Sequence, residues 1–362
     1  MGADQFPITL IMKPIKVIVF IVLFTAFAVA EIDLYSSGMN NTSSAKIELG
    51  RFLFYDTKLS YNNTKSCSSC HDPKYAFSDG YRRSSGADGY AVRRNAPSLI
   101  NTKFLTAYTW GDSSIHRFES QLIFPFFNDD PKELGWRKND KELLLRFLAS
   151  PVYQRIFQKA FPTQKQPINI QNIFTALIAF ENQLVSFNAP YDAFLKGNKY
   201  ALNEQAQKGM SLFYSEKLAC GACHIWQQAN PVKPVYANTG LYNIDGKNNY
   251  PDSDEGLFIQ TGNIADKGFF RVPSLRNILL TAPYTHDGSV ATIDELIRIY
   301  ERGGRKIITG VLAGDGKNNR HKSKLIKGFI LSDEERLALI SFLDAFTDTS
   351  FLQKKNLLNP FN

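Results

Sequence analysis

Cysteine, histidine and methionine are all scarce in this chain: 362 residues include four Cys, five His and four Met. Each therefore has to be accounted for. The apolar run at 17–30 is about 14 residues, short of the roughly 20 that a membrane-spanning helix needs. No block of Lys and Arg interleaves with aromatic residues, so nothing points to a nucleic-acid surface. What is present is specific. All four cysteines fall in two copies of one pattern, Cys67-Ser-Ser-Cys70-His71 and Cys220-Gly-Ala-Cys223-His224. Two disulfides, or a Cys-x-x-Cys redox pair, would not require His at the same offset twice. The pattern predicts covalent c-type haem: two thiols add to the vinyl groups, and the adjacent His becomes an axial iron ligand. The chain is thus expected to carry two haem c groups and to handle electrons.

Lys13 and Lys16 precede the apolar run, which ends Ala28-Val29-Ala30 before Glu31. A basic start, a short apolar stretch and an A-x-A end predict a secretory signal at 1–30, cleaved near Ala30, and hence a periplasmic protein. An uncleaved anchor is the alternative, and Met12 is a second candidate start. Cleavage would remove two Lys and one Asp, taking the net charge from +8 to +7. A basic surface suits an acidic electron-transfer partner, although a solvated face with no specific partner explains it equally well.

The chain repeats itself. Gly50-Arg-Phe-Leu53-Phe54-Tyr55 precedes the first haem motif, and Gly209-Met-Ser-Leu212-Phe213-Tyr214 precedes the second. Pro97-Ser98-Leu99-Ile-Asn101 recurs as Pro273-Ser274-Leu275-Arg-Asn277. Self-similarity of this length indicates two related units. The expected fold is mainly α, with two cytochrome c-like helical domains, each holding one covalent haem. The expected layout is a signal at 1–30, an N-terminal haem domain at 31–198 and a C-terminal one at 199–362, divided near Gly197-Asn198. Helical spacing opens the first unit near Ile47 and closes it with Ile173, Leu177, Phe180 and Leu184. The second closes on an amphipathic helix capped by Ser332.

His71 and His224 each fill one axial position, so the opposite face of each haem decides function: a sixth ligand makes a carrier, an open site an enzyme. Only His116, His286 and His321 remain, and beyond residue 30 the only methionines are Met39 and Met210. A His/Met second haem is therefore disfavoured. Ile293, Leu296, Ile297 and Tyr300 share one helical face that should point inward. Tyr300 is then either a cap on the second iron or a core tyrosine. The equivalent stretch of the first unit offers Phe124 and Pro125, neither of which can ligate iron.

From about residue 45 to 345 the chain resembles the bacterial di-haem cytochrome c peroxidase and methylamine-utilisation maturation enzyme superfamily. The phrases that carry the resemblance are Phe77-Ser78-Asp79-Gly80, Arg94-Asn95-Ala96-Pro97-Ser98, Trp110-Gly-Asp, Pro131-Lys-Glu133-Leu-Gly135 and Thr281-Ala-Pro283-Tyr-Thr-His286-Asp-Gly288-Ser. The resemblance implies that the N-terminal haem reacts with hydrogen peroxide and the C-terminal haem relays electrons. It implies that Trp110 lies between them, and that calcium is held by the Asn95 side chain and the carbonyls of Thr281 and Pro283. It places Gln121, Pro125 and Glu133 in the distal pocket of the first haem. There Gln121 orients peroxide and Glu133 moves its proton, with Asp129 or Asp130 as alternatives to Glu133.

The chain also departs from that pattern. Typical peroxidases of the group carry a distal His before the Arg-Asn-Ala-Pro phrase; residues 72–95 here contain none. Those peroxidases have Met where Tyr300 stands, whereas tyrosine resembles the maturation enzyme, which oxidises a partner protein. His116 lies in a one-residue insertion and is either a ligand or lining of the first pocket, or an exposed loop residue. Three functions are carried forward. The first is a periplasmic peroxidase drawing electrons from a small redox protein, a cytochrome c or cupredoxin, with no nucleic-acid partner and with room for a homodimer. The second is an oxidase of a protein or organic substrate. The third is a di-haem electron carrier.

Overall fold

The computed structural model describes residues 43–224 and 234–361. The expected signal at 1–30 and Met39 lie outside the described residues. The chain is mainly helical with few strands. Helix α1 (Ser44–Tyr55) is followed by the first haem motif in a short 3-10 turn, Cys67–Ser69. Then come α2 (Phe118–Phe127), α3 (Asp140–Leu148), α4 (Pro151–Ala160) and α5 (Ile170–Glu181). Helices α6 (Pro190–Leu195) and α7 (Glu204–Phe213) lead to the second motif, in the turn Cys220–Ala222. Beyond it lie α8 (Phe258–Thr261), α9 (Ile293–Arg302) and α10 (Asp333–Asp344). Two small antiparallel pairs complete the pattern: β1 (Tyr236–Ala237) with β2 (Phe270–Arg271), and β3 (Lys306–Ile307) with β4 (Gly314–Asp315).

The helix boundaries follow local chemistry. Asn169 caps α5, with its side chain accepting from the Asn172 N–H at 2.9 Å. Ile173, Leu177 and Phe180 are buried on one face of α5. Leu184, expected as a fourth member of that helix, is buried just beyond it, because the chain turns at Asn182. Ser332 caps α10 in a reciprocal box with Glu335, at 3.1 and 2.9 Å. Thr292 caps α9, acidic Asp294 and Glu295 occupy its first turn, and Gly303 at φ +77° ends it.

The repeat seen in the sequence is a repeat of packing. Helix α1 crosses α5, and α7 crosses α10. Both crossings are made at glycine. A Cβ on Gly50 would lie 1.9 Å from the Ala176 carbonyl oxygen, and one on Gly209 would lie 1.9 Å from that of Ala338. Each pair seeds a core. The first gathers Leu49, Leu53, Phe54, Phe77, Trp136 and Phe180; the second gathers Phe213, Leu241, Tyr250, Phe342 and Phe346. The segments interchange at the edges. Tyr191 belongs to the second core, while Phe351 and Leu357 return from the C-terminal stretch to the first. The Tyr55 hydroxyl donates to the Leu357 carbonyl at 2.7 Å.

Since no rotamer relieves a Cβ that meets backbone, Gly50→Ala and Gly209→Ala should each destabilise the holoprotein by about 2 kcal/mol or more, despite alanine's better helix propensity. Chemical denaturation checks this, and an unchanged midpoint for both variants would contradict the crossing geometry.

Candidate haem and electron-transfer sites

Both His-bearing turns present the same arrangement. The His71 Nδ1–H donates to the Phe77 carbonyl at 2.9 Å, and the His224 Nδ1–H to the Pro273 carbonyl at 3.2 Å. With Nδ1 engaged, Nε2 is the nitrogen left to ligate a metal, and the backbone bond fixes the ring. Burial pushes His71 down and His224 down to about 4, the direction that favours the neutral ring an iron ligand needs. The cysteines are not thiolate-forming: burial pushes Cys70 up to about 11 and Cys220 up to about 12. A redox pair or thiolate metal site would sit in an electropositive environment that does the reverse. Half-buried thiols beside an oriented His fit covalent haem c.

Around the second motif the chain leaves a cavity. Cys220, Cys223, His224, Tyr300, Trp110 and His286 all line it. The whole α9 face expected to point inward does so here: Ile293, Leu296, Ile297 and Tyr300 are on the cavity wall. Burial first, then the sulfurs of Cys220 and Cys223, push the Tyr300 hydroxyl well up. The protein alone therefore keeps it a phenol, and only an added positive charge would favour the phenolate. His286 is buried, stacked on Phe270 at 3.5 Å between centroids, and driven by burial down to about 4.

The same wall holds Asn95, Thr281 and Pro283, the residues assigned to calcium by resemblance. The Asn95 side-chain amide donates to the Tyr81 carbonyl at 3.0 Å, which leaves its Oδ1 as the acceptor end. Among the described residues no group of three or more His, Cys, Asp or Glu could hold a metal, so a cation here would depend on carbonyl oxygens. Trp110 is fixed to this wall. Its Nε1–H donates to the Asn95 carbonyl at 3.0 Å, and its own carbonyl accepts from the Arg271 N–H at 2.7 Å. Asn95 donates through its N–H to the His286 carbonyl at 2.8 Å. Trp110 thus sits between the 94–98 segment of the first unit and the His224 cavity.

Around the first motif the acidic candidates separate. Asp129 and Asp130 are exposed and pair with Arg137 at 2.9 Å and Arg93 at 3.5 Å. Glu133 is half-buried, and its charge bears on both Cys67 and Cys70. Burial pushes its carboxyl up to about 7. Gln121 and Pro125 are half-buried on α2, where Pro125 cannot donate back to the Gln121 carbonyl and instead accepts from the Leu134 N–H at 2.9 Å. His116 is exposed, with Nδ1 held by the Thr106 carbonyl at 2.9 Å, and it is not on the wall of the His224 cavity. His321 is a half-buried loop residue.

A second carboxyl at the first motif escaped sequence reasoning. Glu181 is 3% exposed, and its charge raises the Cys67 thiol more than that of any other side chain. Burial pushes its own carboxyl up to about 8. The glycine crossings equate Ala176 and Phe180 with Ala338 and Phe342, so Glu181 occupies the place of Leu343, which lines the His224 cavity. Setting Ala176-Leu-Ile-Ala-Phe-Glu181 against Ala338-Leu-Ile-Ser-Phe-Leu343 would have exposed it.

Comparison with known proteins agrees with this geometry. Residues 44–200 match the family of di-haem cytochrome c peroxidases. A cytochrome-c peroxidase of Denitromonas iodatirespirans, IdrP2, is 32% identical over 83% of this chain and 81% of its own. The methylamine utilization protein MauG of Methylorubrum extorquens is 29% identical over 84% and 79%. Among solved structures, a MauG-like protein associated with microbial copper homeostasis superposes with a TM-score of 0.85. It is 42% identical, and the match covers 89% of this chain and 95% of that one. The di-haem peroxidase BthA of Burkholderia thailandensis, at 21% identity and a TM-score of 0.60, shares the fold. The chain belongs to the di-haem cytochrome c peroxidase family, and it is an oxidoreductase of that type with two haem c groups.

Proposed function

We propose that this protein reduces hydrogen peroxide at the haem of Cys67, Cys70 and His71. It draws the two electrons through the haem of Cys220, Cys223 and His224 from a protein partner in the periplasm. The observation that carries the reading is the asymmetry of the two motifs: two carboxyls raised by burial, half-buried Glu133 and buried Glu181, stand at the first, while Tyr300 and Trp110 line the cavity of the second. When bound, the first haem supplies an iron that takes peroxide, and the second supplies a site that stores an oxidising equivalent. The chain's residues do the rest. Gln121 orients the peroxide. Glu133 takes the proton of one peroxide oxygen and returns it to the other, so that water leaves. Trp110 lies on the route between the sites, and Asn95, Thr281 and Pro283 hold calcium at that route. A domain break near Gly197-Asn198 assigns one haem to each half.

The electron source has two readings. One is a small redox protein, as for a cytochrome c peroxidase. The other is oxidation of a protein substrate, as for MauG. Tyr300 on the cavity wall and the absence of His in residues 72–95 favour the second, as does the 42% identity to a MauG-like structure. Steady-state turnover with peroxide and a reduced cytochrome c, set against product analysis of oxidised protein, separates the two.

Glu133 must be ionised to accept the first proton. The rate of peroxide reaction should therefore rise with pH through about 7 and level off above it. Glu133→Gln should lower that rate by about 10²–10⁴-fold and abolish the pH dependence, with haem content intact. A full rate in the variant, measured by stopped flow, would remove Glu133 from the chemistry.

Tyr300 would hold the second iron opposite His224 as a phenolate; Tyr300→Phe should then change the second haem's spectrum and raise its potential, since loss of an anionic ligand destabilises the oxidised iron. Spectroscopy and redox titration of the diferric protein check this. An unchanged second-haem spectrum would return Tyr300 to the role of a core tyrosine and favour the plain peroxidase reading.

A further inference from the structure

The net charge of +8 is not spread over the chain. Residues 302–327 contain eight Lys or Arg against one acidic residue, Asp315, a surplus of seven; elsewhere the charges cancel to within one. Three of the eight are engaged internally. Arg302 forms a two-pronged pair with Asp315, Arg305 donates to the Ser289 hydroxyl at 2.6 Å, and the Lys322 ammonium donates to the Gly303 carbonyl at 2.6 Å. The other five, Lys306, Lys317, Arg320, Lys324 and Lys327, are exposed and make no ion pair among the described residues. A stretch so charged is often a solvated tail, but this one is built into the fold. Asn319 donates to the Tyr242 carbonyl at 2.9 Å, and Ser323 donates through its N–H to that of Asn238 at 2.9 Å. A Cβ on Gly316 would lie 1.7 Å from the Gly240 oxygen.

Two further features mark this strip. Large aliphatic side chains stand out of it into solvent: Ile308 is 81% exposed and Val311 90% at the β3–β4 tip, and Ile330 is 84% exposed just past its end. Leu325, Ile326 and Lys327 then continue inward to line the cavity of His224 and Tyr300. A basic surface with an apolar centre is thus continuous with the wall of the second haem site.

We propose that the 302–330 strip is the docking surface for an acidic redox protein, whose carboxylates meet Lys306, Lys317, Arg320, Lys324 and Lys327 while an apolar patch covers Ile308 and Val311. The proposal rests on the reading that electrons enter through the second haem. Complementary charge speeds encounter and sets orientation, and the apolar contact holds the complex long enough for transfer. Continuity with the cavity selects a redox protein over a lipid surface, which would have no use for access to the haem. The balance is closed: each peroxide takes two electrons and two protons to give two waters, and two partner molecules each lose one electron.

The test uses the full-length diheme protein with two reduced probes, an acidic bacterial cytochrome c and a basic mitochondrial-type cytochrome c, followed by stopped flow under peroxide. The acidic probe should be oxidised at least about 10-fold faster at low ionic strength, with the advantage lost as salt screens it. Lys317→Glu with Lys324→Glu should reverse the preference. Val311→Asp should slow the acidic probe at every salt concentration. The reaction with peroxide alone should be unchanged in all variants; if the wild type does not react with peroxide, the functional reading fails rather than the docking proposal. Equal rates for the two probes, indifference to salt, or unchanged rates in the variants would overturn the proposal. So would charge-dependent co-sedimentation with phosphatidylglycerol vesicles without any preference between the cytochromes.

Discussion

The two halves of this protein meet on a buried hydrogen-bonded knot centred on Ser186. The Asn101 side-chain amide donates to the Ser186 carbonyl at 3.0 Å, and the Ser186 N–H donates back to the Asn101 oxygen at 3.0 Å. Asn277, the counterpart of Asn101 in the repeated phrase, donates to the Ser186 hydroxyl at 3.0 Å and accepts from the Asp348 N–H at 2.7 Å. The Ser186 hydroxyl in turn donates to the Asp348 carboxylate at 2.9 Å. Burial alone would raise Asp348, but hydrogen bonds from Ser350, Asn188 and Ser186 outweigh it and hold the carboxyl below its usual range. Leaving any one of these groups unpaired would cost about 1–3 kcal/mol, so the knot is satisfied as a unit or not at all. Both asparagines sit at positive φ, +62° and +59°, a conformation Asn tolerates better than most residues. The repeat thus supplies the geometry as well as the donors.

Around that knot, a second tie fixes the wall between the sites. Arg94 of the first half meets Asp254 of the second through two bonds of 2.7 Å. Its guanidinium lies over Phe270, which stacks on His286. A two-pronged pair in a partly buried setting orients better than it stabilises. Its effect here is to hold the 94–98 segment, and Trp110 with it, against the His224 cavity.

Duplication followed by divergence explains how one frame serves two tasks. The glycine crossings, the haem turns and the backbone bonds to His71 and His224 are shared. The groups that differ stand beside the Cys-x-x-Cys-His turns. Glu181 stands where Leu343 does, and Glu133 adds a second carboxyl near Cys67. Burial raises both carboxyls, Glu133 to about 7 and Glu181 to about 8, into the range where a side chain can both take up and release a proton near neutral pH. The His224 cavity instead has a largely apolar lining with Tyr284 and Tyr300 in it.

How much of this was legible in the sequence depends on the range of the interaction. The haem turns, the duplication, the Ser332 cap and the inward face of α9 are set by spacing over a few residues, and the structure places them as read. That Glu133 rather than Asp129 or Asp130 is drawn towards Cys67 and Cys70 is decided by tertiary burial, since in the sequence all three are acidic residues of one loop. His116 could be read either way, and only the packing of its loop turns it outward. Glu181 went unnoticed because its significance lies in what it replaces, and that needs the helix crossings to be superposed. The basic strip is visible in the sequence as composition, but its position does not follow from composition. Chain folding over the second cavity brings Lys327 to the wall that Tyr300 shares, and no local rule specifies that contact.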